Sequence, residues 1–174
     1  LGSCTMKYNP KINEDLAGLT GFTGAHPLLP ADFCQGALRL MHDLQTFLAE
    51  ITGMDAVSLQ PAAGAQGELA GMLLIHACHE SRGSRRTRII VPDTAHGTNP
   101  ASASLCGYES VGVKSNADGI LSVESVETHM DEDTVGVMVT NPNTLGLFEE
   151  NIKKVTEIVH AKGGLVYCDG ANLN

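Results

Sequence analysis

The chain has no tryptophan, and aromatic residues make up only 4% of its 174 positions. A core with so few rings is filled by aliphatic side chains, and an apolar content of 43% is enough to build one. Basic residues are also scarce, with eleven Lys and Arg against twenty Asp and Glu and a formal charge of −9. Broad binding to nucleic acid or to an anionic membrane needs clustered cations, so this balance argues against both. The one basic cluster, Arg82, Arg85, Arg86 and Arg88, is broken by Gly83 and Ser84 and reads as a solvated loop. No C-x-x-C pair occurs. The five cysteines (Cys4, Cys34, Cys78, Cys106, Cys168) read as free buried thiols in a reducing compartment. No apolar run is long enough to span a bilayer. The first ten residues lack a signal-peptide core, and Leu1 does not look like a natural start. The expectation is a soluble, intracellular and incomplete chain.

What is present is an alternation of strands and helices. Residues 1–30 lack sustained periodicity and read as an extended arm with turns. Phe33, Ala37, Leu40, Met41, Leu44, Phe47, Leu48 and Ile51 recur at helical spacing, with Gly53 placed to end the helix. Strands are expected at 56–59, 88–91, 109–113, 134–140 and 165–168. Helices are expected at 64–79, 101–106, 123–130 (with Ser122 as N-cap) and 150–161. This pattern predicts an α/β fold with a mainly parallel sheet, residues 31–174 forming part of one large domain. His76 and His79 share a helix face beside Cys78. Without further ligands at a diagnostic spacing, they read as surface histidines next to a buried thiol.

Four strand-end segments carry unusual residue choices, in the position where open α/β sheets bind ligands. Gly64-Ala65-Gln66-Gly67-Glu68 opens a helix with small residues; a phosphate cradle and close helix–strand packing are both open readings. His96 lies in Asp93-Thr94-Ala95-His96-Gly97-Thr98-Asn99-Pro100, where its imidazole can lie on a planar ligand, exchange protons or serve the loop. Asn141 and Asn143 flank Pro142 in a loop continuing through Thr144, and turn chemistry explains them as well as ligand binding does. Asp169, followed by Gly170 and Ala171, closes the last strand and suits a protonated ring nitrogen lying against the backbone.

Those segments, together with the opening Leu1-Gly2-Ser3-Cys4-Thr5-Met6-Lys7-Tyr8-Asn9-Pro10, closely resemble the glycine dehydrogenase (decarboxylating) family. This is the P-protein of the glycine cleavage system, and the likeness is to its C-terminal half or second subunit. The resemblance implies the large domain of the aspartate aminotransferase-like (fold type I) pyridoxal-phosphate enzymes. It also implies that glycine bound to pyridoxal 5′-phosphate loses CO₂ and passes its aminomethyl group to the lipoyl group of H-protein. Site roles follow from the same likeness. Gly64, Ala65 and Gln66 are expected to hold the phosphate, and His96 to stack on one face of the pyridine ring as the catalytic histidine. Ala171 is expected on the other face, Asn141 at the ring hydroxyl with Asn143 and Thr144 nearby, and Asp169 at the ring nitrogen. No metal is implied. An oligomer containing the other P-protein half or subunit is expected.

One departure accompanies this likeness. The family's Schiff-base lysine lies in a His-Lys pair beyond the aspartate strand, and none of Lys7, Lys11, Lys114, Lys153, Lys154 and Lys162 stands in such a pair. The expectation is therefore a fragment, inactive by itself. Other readings are a cysteine desulfurase or amino-acid decarboxylase of the same fold, a non-catalytic partner subunit, or a Rossmann-type binder. The glycine spacing at Gly64, Gly67 and Gly71 argues against the last.

Overall fold

The computed structural model describes residues 8–173. The chain divides into two compact units, residues 8–62 and the residues from Ala63 onward. The opening segment 1–7 lies outside the described residues.

The first unit is helical. It contains α1 (Lys11–Ala17), a single turn α2 (Thr20–Thr23), a 3-10 turn (Ala31–Phe33) and α3 (Gln35–Thr52). The segment expected as an extended arm is thus partly helical. Ile12, Leu16 and Leu19 fall at i, i+4 and i+7, a helical signal too short to stand out among the surrounding Gly and Pro. Helix α3 ends where expected, at Gly53 in the left-handed conformation (φ 69°). Its apolar stripe is nevertheless uncovered, since none of its residues is buried. Leu16, Phe22, Leu40, Leu44 and Phe47 line a groove within this unit. Residues 56–59, expected as a strand, join no ladder. A strand is defined by its partner, and that segment pairs with none of the described residues.

The second unit is a three-layer α/β/α sandwich. It runs α4 (Gly64–Ser81), β1 (Arg88–Pro92), α5 (Thr98–Leu105), β2 (Glu109–Val113), α6 (Val123–His129), β3 (Thr134–Thr140), α7 (Ile152–Ala161), β4 (Leu165–Asp169). The four strands are parallel in the order β2-β1-β3-β4. The core is aliphatic, as the shortage of aromatics requires. Helices α6 and α7 pack Val123, Val126, Met130, Val155 and Val159 onto Ile90, Val113, Val137 and Val139. On the opposite face Met72, Ile75 and Ala103 of α4 and α5 meet Ile89, Val91, Val135 and Met138.

Val135 and Met138 share a face although they are three residues apart. The register explains this: Arg88 pairs with Thr134 and Ile89 with Gly136, so Val135 is the extra residue of a β-bulge. His79, expected at the surface, is buried, and its Nε2 donates to the Val135 carbonyl at 2.9 Å. Arg86 also departs from its expected solvated role. It donates to Thr134 O at 2.7 Å and to Lys162 O at 2.9 Å, clamping the start of β3 to the end of α7. The four described cysteines are free, but none is buried; Cys34, Cys78 and Cys106 are half-buried and Cys168 is exposed. Strand β4 is likewise mostly half-buried at the sheet edge, apart from Asp169.

Candidate functional site

The connection leaving β1 leads to β2 on one side, whereas β3 lies on the other side of β1. The loops after β1 and β3 therefore diverge, and this switch point opens a crevice at the carboxyl ends of the strands. The two loops are tied across it. His96 N donates to Thr140 Oγ1 at 3.0 Å, and Thr144 donates to the Thr94 carbonyl through both its N–H (3.1 Å) and Oγ1 (2.9 Å).

Asp169 ends β4 with its carboxylate buried. Ala171 N donates to Asp169 Oδ1 at 3.0 Å, and Asn141 N donates to the Asp169 carbonyl at 3.0 Å. Asn99, fully buried in the first turn of α5, donates from Nδ2 to Glu68 Oε2 at 2.8 Å and reaches Asp169 Oδ2 at 3.4 Å. Its Oδ1 accepts from Thr140 Oγ1 at 3.1 Å. One ligand-type atom from each of Glu68, His96 and Asp169 lies within 4.8 Å of the others. Burial raises the Glu68 pKa above the usual carboxylate range, and the neighbouring Asp169 charge adds to the rise.

Because Glu68 is the fifth residue of α4, its place in this network puts the start of that helix at the same end of the sheet. Gly64, Ala65 and Gln66 form the exposed opening of α4, which has no side-chain cap. A Cβ added at Gly64 or Gly67 meets nothing within 4 Å, so packing inside the chain does not demand glycine there.

The asparagines divide into two roles. Asn143 is fully buried and spent on its own loop and on the turn at Gly119. It donates to Gly119 O and Glu149 Oε1, and it accepts from Leu145 N and Leu147 N. Asn141 is half-buried; its Oδ1 accepts from Glu149 N at 3.1 Å, and its Nδ2 donates to none of the described residues. Glu68, Asn99 and Thr140 stand in segments that the sequence singles out, but nothing local marks them as a connected set.

A cleft of about 580 Å³ opens at the other end of the sheet, between Thr87 and Tyr108 at the amino ends of β1 and β2. Arg86 and His79 on its wall are already committed to backbone carbonyls. The chemistry therefore concentrates at the carboxyl ends, where two buried carboxylates and an imidazole converge.

Residues 66–173 match the aminotransferase class-V family model. The whole chain is 60% identical to a protein of Bacillus licheniformis named probable glycine dehydrogenase (decarboxylating) subunit 2, covering 36% of it. It is 57% identical to a protein of the same name from Chloroherpeton thalassium, covering 35%. The chain thus spans about a third of the length of these curated relatives. Among solved structures it is similar to glycine decarboxylase (P-protein) of the glycine cleavage system in inhibitor-bound form, with TM-score 0.76 and 23% identity, over 91% of this chain and 35% of that one. It is also similar to a NifS-like protein, with TM-score 0.72 and 19% identity, over 94% of this chain and 46% of that one. The fold is that of the fold type I pyridoxal-phosphate enzymes, and the chain belongs to the aminotransferase class-V family.

Proposed function

We propose that this chain forms part of the cofactor cradle of a glycine-decarboxylating enzyme of the glycine cleavage system. The observation that carries this reading is Asp169, a buried carboxylate at a strand end facing no Lys or Arg among the described residues. An isolated buried anion is costly, and a protonated pyridine nitrogen supplies the missing charge. Two further features fit pyridoxal phosphate. The Asn141 Nδ2 donor meets no partner among the described residues and suits a ring hydroxyl oxygen, and the start of α4, without a side-chain cap, suits a phosphate. The near 60% identity to proteins named for glycine decarboxylation supports glycine as the substrate.

When bound, pyridoxal phosphate supplies an electron sink for the carbanion left as CO₂ departs. The residues of this chain position and polarise it. Asp169 holds a proton on the ring nitrogen, with Ala171 N keeping its carboxylate in place. His96, its loop fixed by Thr140, would hold one face of the ring and Ala171 the other. Gly64, Ala65 and Gln66 would receive the phosphate, and Asn141 and Thr144, on the loop after β3, would hold the ring substituents. The complete enzyme passes the aminomethyl group to the lipoyl group of H-protein and is an assembly with further P-protein sequence. The uncovered apolar stripe of α3 supports such an assembly.

In the complete enzyme, Asp169→Ala is expected to slow glycine decarboxylation on the order of 100-fold or more, since several kcal/mol of buried charge pairing is lost. Release of labelled CO₂ from carboxyl-labelled glycine measures it. Near-normal release by that variant would sink the assignment.

A further inference from the structure

Two buried carboxylates meet in this crevice, and one neutral side chain separates them. Asn99 Nδ2 carries two hydrogens; one goes to Glu68 Oε2 at 2.8 Å and the other points to Asp169 Oδ2 at 3.4 Å. Asn99 cannot rotate to exchange its ends, because Thr140 Oγ1 donates to Asn99 Oδ1, and that hydroxyl in turn accepts from His96 N. The groups facing Glu68 are Asn99 and Ser102 from α5, His96 from the loop after β1, and Asp169 and Tyr167 from β4. None is a lysine or arginine. Two full negative charges in contact through one amide, at 5% and 6% exposure, are unfavourable without a cation.

We propose that Glu68 is a positioning residue that carries a proton at neutral pH, so that the crevice does not hold two adjoining negative charges. A neutral Glu68 completes the hydrogen-bonding of Asn99 without competing for the ring nitrogen, and Asn99 then fixes the Asp169 carboxylate. One anion matches one pyridinium; a second would oppose the phosphate and the substrate carboxylate. The raised pKa of Glu68 agrees with this geometry. The inference rests on the cofactor reading for its purpose, but its protonation claim concerns the chain alone.

The test uses the full 174-residue chain labelled with ¹³C at Glu and Asp side-chain carboxyls. Glu68→Gln and Asp169→Asn identify the two signals by their loss. At about pH 7 the Glu68 signal is expected at the protonated position and to titrate above the usual glutamate range of roughly 4.3. Glu68→Gln, which mimics the neutral acid, should leave the Asp169 signal in place. It should also keep the affinity for pyridoxine 5′-phosphate, a probe that cannot form a covalent bond, within about tenfold. An ionised Glu68 at that pH overturns the proposal, as does a larger loss of affinity in Glu68→Gln. Binding of Mg²⁺, Mn²⁺ or Zn²⁺ that leaves Glu68 ionised overturns it too. A wild-type chain that ignores pyridoxine 5′-phosphate while Glu68 titrates high sinks the cofactor reading and leaves the protonation claim standing.

Discussion

His79 shows how a single side chain can be fixed by a fault in a neighbouring strand. The bulge at Val135 shifts the pairing of β3 with β1, and the His79 imidazole donates to the Val135 carbonyl at that point. Removing that donor with His79→Leu is expected to cost about 1–3 kcal/mol in urea denaturation, while His79→Gln recovers part of it. Acid should act in the same place. Burial lowers the His79 pKa, and Arg86 and Arg82 lower it further against the pull of the carbonyl bond. The unfolded chain therefore takes up the proton first. The stability from neutral His79 is complete above roughly pH 6.5 and is lost as pH falls through its depressed folded value. Denaturation midpoints of wild type and His79→Gln should diverge above that range and converge below it. Glu68 has the opposite sign: its folded pKa is raised, so its contribution is greatest at low pH and is lost as pH rises from about 4.3 through the folded value.

Among the elements, those governed by local signals were legible in the sequence. Strands β2 and β3 run over the expected residues, and α6 starts at Ser122, whose Oγ accepts from Ser125 N at 3.2 Å. Ser122→Ala is expected to lose about 0.5–2 kcal/mol of stability by thermal or urea denaturation, the range for losing an N-cap oxygen. What the sequence concealed depends on distant partners. The 56–59 segment has β-branched and apolar character but no ladder to join, and the burial of α3 could not be judged from its stripe alone. The bulge at Val135 exists only relative to β1, so no pattern within Thr134–Thr140 announces it. The same holds at the site. Strand-end loops stood out because Gly, Pro, Asn and His are poor strand formers placed just after apolar runs. The contacts of Asn99 with Glu68 and Asp169 join residues 31 and 70 positions apart, beyond the reach of spacing arguments.

For the molecule as a whole, strand order matters more than any loop motif. With β1 and β3 adjacent and their connections departing in opposite directions, the crevice is a product of topology, and Thr140 bridges its two sides. Thr140→Val keeps shape and volume but removes a hydroxyl that both accepts and donates. It is expected to destabilise the chain by about 1–3 kcal/mol in urea, because His96 N and Asn99 Oδ1 lose a buried partner together. Affinity for pyridoxine 5′-phosphate should fall with it, whereas Ser122→Ala should leave that affinity unchanged. Equal affinity in the Thr140 variant would show that the bridge does not organise the crevice.

Gly71 gives this arrangement a ruler. A Cβ at Gly71 would come within 2.5 Å of the Tyr167 ring, so only a bare backbone lets α4 lie this close to β4. Helix α4 opens without a side-chain cap at one end of the proposed cradle, and β4 carries the carboxylate at the other. The distance between those two ends of the proposed cradle is therefore calibrated by a contact that lies at neither. A lineage that changed the bulk at 71 or 167 would have to re-gauge the whole cradle, even with every ligand-facing residue intact.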